Sequence, residues 1–277
     1  MITAIARRLE GTGIERPRFE AELLVRAASG LSAEELIRDP DTELTDQQLR
    51  LADEWAARRA AREPLPYLVG KAEFYSRTFL VSPAAIVPRP ETEILVEAAI
   101  ERARAVGAST AADVGTGSGV LAVTLASEIA GLRAIATDIS FEALRLASSN
   151  AELHEVSDRV FPVCCDLLAA VGQPVDCVVA NLPYISRDDF AALEPEVRDY
   201  EPRIALDGGM DGLGMIGRLS VQVCDHLNKG GFAALEVGAG QAQEVAKLLT
   251  RGGLAKVEVL PDYAGAARVV IGWRRGR

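Results

Sequence analysis

The sequence predicts an α/β protein, in which a mostly parallel sheet carries helices on both faces and a smaller all-helical region precedes it. Three observations predict this. From about residue 90 onward, short apolar runs alternate with amphipathic helical segments. A glycine-rich turn, "DVGTGSG" at 113–119, joins the first of those runs to a helix. Before them, residues 1 to about 70 repeat apolar side chains at three- and four-residue spacing, the period of a helix with one buried face.

In the leading region, "FEAELLVRAASG" and "TDQQLRLADEWAARRAAR" are rich in alanine, leucine, glutamate and arginine, all good helix formers. Thr45 with Gln48 has the pattern of a capping box, and Pro64 and Pro66 end the helical pattern. The domain division read from this is 1–75 helical and 76–277 α/β, with a hairpin connector over 76–87. "EILVEAAIERARAV" follows as a helix with acids in its first turn, which complements the helix dipole. The strand candidates are "TAADVG", "RAIATD", "RVFPVCCD", "VDCVVAN", "FAALEVG", "KVEVLPD" and "RVVIGW". Only "DYAGAA" separates the last two, too few residues for a helical crossover, so they are expected to pair antiparallel.

Bulk properties narrow the function. The 277 residues carry a formal charge of −10, so the chain lacks the global positive field of a duplex or ribosomal-RNA binder. Cys164, Cys165, Cys177 and Cys224 form no CxxC pair, and His154 and His226 are the only histidines, which argues against a disulfide framework or a zinc site. Both histidines read as surface or packing residues. The N-terminal stretch has arginines in its short apolar run, unlike a signal peptide, and no apolar run is long enough to cross a bilayer. A cytoplasmic protein is expected.

The glycine turn places Asp113, Gly115, Thr116, Gly117, Ser118 and Gly119 between a strand and a helix, where a ligand can approach the backbone near a helix N-terminus. It is not a dinucleotide fingerprint, because Val120 stands where the last glycine would be, and it has no Walker Gly-Lys-Ser/Thr. A glycine turn by itself also serves plain strand–helix packing. Two further strand ends extend the pattern. "RAIATD" ends in Asp138, about twenty residues on, where such sheets deliver an acid to ribose hydroxyls. "FPVCCD" ends in Asp166, able to accept from an adenine amino group, and Ile139 and Leu167 follow as flanks for the ring. An adenosine ligand without a phosphate-binding pattern points to S-adenosylmethionine, leaving S-adenosylhomocysteine as product. No metal is expected.

The fourth strand ends in Asn181-Leu182-Pro183-Tyr184. Alone, this is an ordinary Asn-X-Pro turn. In line with the other strand ends it faces the donor methyl. There the Asn181 side-chain oxygen and the Leu182 carbonyl can accept both N–H hydrogens of an amide or aromatic amine, aiming a weak nucleophile and stabilising charge as it forms. Pro183 holds Leu182 extended, and Tyr184 is expected to wall the pocket. If Leu182 acts through its carbonyl, its side chain should matter little.

With these residues in place, the sequence resembles the peptide chain release factor N5-glutamine methyltransferases, a class I, Rossmann-like group. The resemblance covers about residues 20–273 and includes, in order, "PYLVGKAEFY", "VPRPETE", "DVGTGSG", "NLPYI", "EVRDYEPRIALDGGMDGL" and "LEVGAGQ". It implies a seven-stranded catalytic domain and a small N-terminal helical domain that docks class 1 release factors. It also implies methylation of the side-chain nitrogen of the Gly-Gly-Gln glutamine, which modulates translation termination. Gly115 to Gly119, Asp138 and Leu167 would bind the cofactor and Asn181 to Tyr184 the glutamine, with no direct nucleic-acid or membrane binding. Two positions depart from the family pattern: Leu182 replaces a proline, and Leu167 stands where an aromatic residue is common.

The Asn-Leu-Pro-Tyr form also occurs in ribosomal-RNA adenine dimethyltransferases, and a sibling class methylates a glutamine of a large-subunit ribosomal protein. A cofactor-binding module without activity is a further alternative. Arg89 and Glu91 are candidates near the cofactor and the entering loop, although Pro-Glu-Thr is also a plain helix start. Glu236 is a candidate to support the site from behind. The turn-rich stretch "RDYEPRIALDGGMDGLG" reads as a lid ordered by substrate.

Overall fold

A computed structural model of the chain describes residues 1–39 and 42–276. It divides into two compact units, one of Met1–Lys71 with Glu194–Tyr200, the other of Ala72–Leu193 with Glu201–Arg277.

The first unit contains helices α1 (Ile2–Leu9), α2 (Pro17–Ser29), α3 (Ala33–Arg38), α4 (Asp46–Ala60) and α5 (Leu65–Val69). The capping box of α4 is complete: the Thr45 hydroxyl accepts from the Gln48 N–H, and the Gln48 side chain accepts from the Thr45 N–H at 2.9 Å. Leu9, Ala21, Leu24, Ala52 and Ala56 are fully buried and form its small core. A returning segment, Glu194–Tyr200, belongs to this unit although the sequence places it in the other domain. Charge holds it there. Buried Arg59 binds Glu20 and, at 3.0 Å, Glu196, while Arg62 binds Glu194 and Glu196. The Tyr200 hydroxyl donates to the Ala61 carbonyl at 2.7 Å.

The second unit opens with a hairpin, β1 (Lys71–Phe74) and β2 (Arg77–Leu80), earlier in the chain than the 76–87 connector expected from sequence. Its two turn residues, Tyr75 and Ser76, both have positive φ, the backbone a tight two-residue hairpin requires. Then come α6 (Pro90–Val106), β3 (Thr110–Val114), α7 (Val120–Glu128), β4 (Arg133–Asp138), α8 (Phe141–Leu153), β5 (Val160–Cys164) and β6 (Val175–Ala180). After α9 (Pro195–Tyr200), in the first unit, follow α10 (Gly214–Gln222), β7 (Leu227–Glu236), α11 (Ala242–Arg251), β8 (Ala255–Pro261) and β9 (Ala267–Trp273).

Among the described residues seven strands form the main sheet, ordered β5-β4-β3-β6-β7-β9-β8. The β3, β4, β5, β6 and β7 pairings are parallel, and β9 runs antiparallel to both β7 and β8. Alternate residues feed two cores, as the two-residue period of a strand demands. Ala111, Cys177, Val179, Phe232 and Ala234 meet α6 and α7 on one face. Ala112, Val114, Val178, Ala233 and Leu235 meet α10 and α11 on the other. Strand order reverses between β3 and β6, and in open α/β sheets a crevice opens at that switch, beyond the carboxyl ends of the strands.

His154 and His226 make local contacts. The His154 ring packs on Phe79 and pairs with the Thr78 carbonyl, and His226 pairs with the Gln222 carbonyl.

Candidate active site

A cavity of about 560 Å³ lies at that crevice. Of the residues singled out from sequence, Gly115, Gly117, Asp138, Ile139, Asp166, Leu167, Asn181, Leu182 and Pro183 line it.

The glycine turn is shaped by backbone. Gly115, Gly117 and Gly119 all have positive φ. A Cβ on Gly115 would meet Leu182 Cδ2 at 2.9 Å, and one on Gly119 would meet Ala147 Cβ at 2.9 Å. Gly119 therefore permits close packing of α7 on α8 and does not line the cavity. Asp113 lies behind the turn as well. Its carboxylate accepts from the Thr116 hydroxyl at 2.6 Å and from the Ala122 N–H at 3.0 Å, tying strand, turn and helix together. Burial pushes the Asp113 carboxyl up to about 7, against those two hydrogen bonds. Thr116 and Ser118 are likewise buried and lie outside the cavity wall. Asp113, Thr116, Ser118 and Gly119, expected from the sequence to meet a cofactor, lie off the cavity wall, and Asp113, Thr116 and Gly119 make contacts to the turn and to α7 and α8.

Asp138 is on the wall. One of its oxygens accepts from the Gly117 N–H at 3.0 Å and the other from the Ser140 N–H at 2.8 Å. Each oxygen keeps a further lone pair, enough for two ribose hydroxyls. Ile139 is exposed and Leu167 buried at this edge, and Leu167 adopts φ 52°, a left-handed conformation uncommon outside glycine. Asp166 is ion-paired to Arg218, so the acid assigned to an adenine amino group already has a cationic partner.

The tetrapeptide is held by side chains from distant segments. The Asn181 amide donates to the Thr92 hydroxyl oxygen at 3.0 Å, and Thr92 donates to Glu236 at 2.7 Å. Tyr184 does not line the cavity. Its hydroxyl donates to the other Glu236 oxygen at 3.3 Å, and burial together with the Glu236 charge pushes its pKa up to about 12. Glu236 is itself shifted upward by burial, offset by the Thr92 hydrogen bond and the Arg268 charge. The Gln241 amide donates to the Tyr184 carbonyl at 2.9 Å while its oxygen accepts from the Gly238 N–H at 2.9 Å.

Behind this backbone pack Gly208 and Gly212 of "DGGMDGLG". At Gly212, with φ 74°, a Cβ would fall 2.2 Å from the Tyr184 carbonyl oxygen. The Ile185 N–H donates to the Leu206 carbonyl and the Gly208 N–H to the Ile185 carbonyl, and Arg203, Ile204 and Ala205 add to the cavity wall. Leu182 is buried with its side chain against Gly115, so it packs the tetrapeptide onto the glycine turn.

Arg89 and Glu91 do not line the cavity. Arg89 grips buried Glu201 with both contacts at 2.7 Å, and Glu91 is exposed in the first turn of α6. Sequence reasoning missed Thr92 and Gln241, although both sit inside stretches singled out for other reasons, "VPRPETE" and "LEVGAGQ".

The cavity fits S-adenosylmethionine by its own features. Gly115 and Gly117 present positive-φ backbone where side chains would intrude, a carboxylate faces the same space, and the volume suits a nucleoside-sized ligand. Parallel strands ending in an antiparallel edge, with a glycine turn and acid at successive strand ends, define a class I methyltransferase.

Comparison with known proteins makes this specific. Residues 1–70 match the family model "PrmC N-terminal domain", and residues 90–237 match "Ribosomal protein L11 methyltransferase (PrmA)". The release factor glutamine methyltransferase of Koribacter versatilis is 40% identical, over 95% of this chain and 94% of its own length. That of Moorella thermoacetica is 42% identical, over 97% of this chain and 95% of its own. The solved ribosomal protein L11 methylase of Lactobacillus delbrueckii subsp. bulgaricus is 26% identical, with a TM-score of 0.51, over 70% of this chain and 84% of that one. The relatives that span both units, the leading helices included, decide between the two names. The chain belongs to the release factor glutamine methyltransferase family.

Proposed function

We propose that this protein transfers a methyl group from S-adenosylmethionine to the side-chain amide nitrogen of the glutamine in the Gly-Gly-Gln loop of class 1 release factors, acting in the cytoplasm. The observation that carries the reading is the orientation of Asn181. Its amide N–H2 is committed to Thr92, which leaves its oxygen for an N–H donor beside the glycine turn. When bound, S-adenosylmethionine supplies an electrophilic sulfonium methyl. Asn181 and the Leu182 carbonyl would each accept one hydrogen of the substrate amide, directing its nitrogen along the line of transfer. They would also stabilise positive charge as that nitrogen becomes tetrahedral. The N-methylated amide is then acidic enough to give its proton to water, so no strong base is required. Asp138 would hold the ribose hydroxyls, and Ile139 and Leu167 would enclose the adenine.

Mass spectrometry of a release factor incubated with the protein and S-adenosylmethionine tests the reading. A single-methyl gain on the Gly-Gly-Gln peptide is the expected result. The match of residues 90–237 to the L11 methyltransferase model favours a second reading, in which the substrate is a ribosomal protein. Assayed side by side, preferential methylation of L11 or of ribosomal RNA would overturn the first.

The helical unit is proposed to dock the release factor outside the Gly-Gly-Gln loop. It exposes Phe19 and Ile37, large apolar side chains of the kind a partner covers. Replacing both by alanine should raise KM for the intact factor while leaving KM for a short Gly-Gly-Gln peptide unchanged. Equal effects on both substrates would refute docking at this surface.

A further inference from the structure

Thr92, Asn181 and Glu236 come from three separate elements: the first turn of α6, the end of β6 and the end of β7. Thr92 and Glu236 are almost completely buried, at 2% and 1% exposure, so this is an interior arrangement and not a solvated cluster. We propose that Thr92 is a positioning residue for methyl transfer, its hydroxyl, anchored by Glu236, selecting which edge of the Asn181 amide faces the acceptor. The inference rests on the reading of Asn181 as the group that receives the substrate amide.

A count of hydrogens fixes which way the amide faces. A threonine hydroxyl has one hydrogen and two lone pairs, and an ionised carboxylate, as Glu236 is beside the favourable Arg268 charge, has acceptors only. Glu236 accepts from Thr92 at 2.7 Å and from Tyr184 at 3.3 Å, one hydroxyl to each oxygen. The single Thr92 hydrogen is thereby spent, and Thr92 can only accept from its other neighbour. Asn181 must then present its N–H2 to Thr92, at 3.0 Å, and its oxygen to the other side. Rotating the amide by half a turn would place an oxygen against the Thr92 oxygen, two acceptors with no hydrogen between them. It would also set N–H2 against the incoming substrate N–H2, two donors face to face. Glu236 touches neither ligand in this scheme. It acts through Thr92, and Thr92 through Asn181. A carboxylate two residues removed from the reacting atoms thus decides the polarity of the group that meets them.

A double-mutant cycle in the full-length protein tests the proposal. Thr92→Val keeps the shape and removes the hydroxyl. It should lower kcat on a release factor by about 10- to 100-fold, as expected when a reacting group loses its orientation. S-adenosylmethionine affinity, measured by calorimetry, should stay within about threefold, a change too small to register as a lost contact. Thr92→Ser should recover most of the loss. In an Asn181→Ala background, Thr92→Val should cost nothing further, because there is no amide left to turn. Should valine prevent folding, Thr92→Ala is read in the same cycle. The proposal is overturned if Thr92→Val turns over like wild type, if serine fails to restore activity, or if the full loss persists without Asn181. A wild-type protein inactive on release factor would instead bring down the acceptor reading, and this proposal with it.

Discussion

On its glycine side the cavity is bounded by backbone, and on its tetrapeptide side by a strand end that side chains from far along the chain hold in place. Gly115, Gly117 and Asp138 lie within 24 consecutive residues and shape each other through the 3.0 Å bond from the Gly117 N–H. Asn181 depends on Thr92, 89 residues earlier, and Tyr184 on Glu236, 52 residues later. The first arrangement is set locally, by positive φ, by the missing Cβ at Gly115 and by the acid. The second stands only if several segments arrive together. Binding of a cofactor can therefore be lost at one local point, while chemistry is exposed to damage from many distant positions.

The largest effect expected from this contrast is on turnover. Asn181→Ala should reduce methyl transfer by about 100-fold or more, as for a removed preorganised polar contact, with cofactor binding intact. Near-normal turnover by a folded variant would erase the distinction between the two sides. On the glycine side, Asp138→Ala should weaken S-adenosylmethionine binding by roughly 1.5–3 kcal/mol, the range for charge-assisted hydrogen bonds. It also frees the Gly117 and Ser140 N–H groups, so part of the loss will come from a looser turn. Unchanged affinity in calorimetry would remove the acid from the binding site.

Leu182 joins the two sides and sharpens the comparison. Leu182→Ala should cost roughly 2 kcal/mol of stability, the low end for truncating a buried leucine, because the site borders a cavity already. It should also loosen cofactor binding somewhat through Gly115, which an effect confined to the acceptor side would not do. Denaturation midpoints and cofactor titrations on the same variant separate the two.

The smallest effect concerns pH. Burial raises the Asp113 carboxyl in the folded chain from 3.8 to about 7, so the folded state holds that proton more tightly than the unfolded one. The resulting stability is complete below about pH 3.8 and is lost as pH rises to about 7. Asp113→Asn keeps an oxygen for Thr116 and Ala122 and cannot ionise. Relative to wild type, its Tm should rise across that window, and a constant difference would show that Asp113 does not titrate there.

Fold class, the glycine turn, Asp138 at one strand end and the tetrapeptide at another were legible in the amino-acid order alone. Period, turn chemistry and strand-end position are local, and each is written in a few consecutive residues. Asp113, Thr116, Ser118 and Gly119 were visible as one motif with Gly115 and Gly117, but only the last two line the cavity. Alternation along a strand and packing of α7 against α8 decide which residues turn inward, and neither is written in the motif's spelling. Thr92 looked like part of a helix start, and Gln241 like the end of a turn. Their partners are 89 and 57 residues away, and only the closing of the sheet brought them within hydrogen-bond reach. The Glu194–Tyr200 segment shows the same limit: its acids find Arg59 and Arg62 only once the helices have packed, so its place in the helical unit was a tertiary outcome.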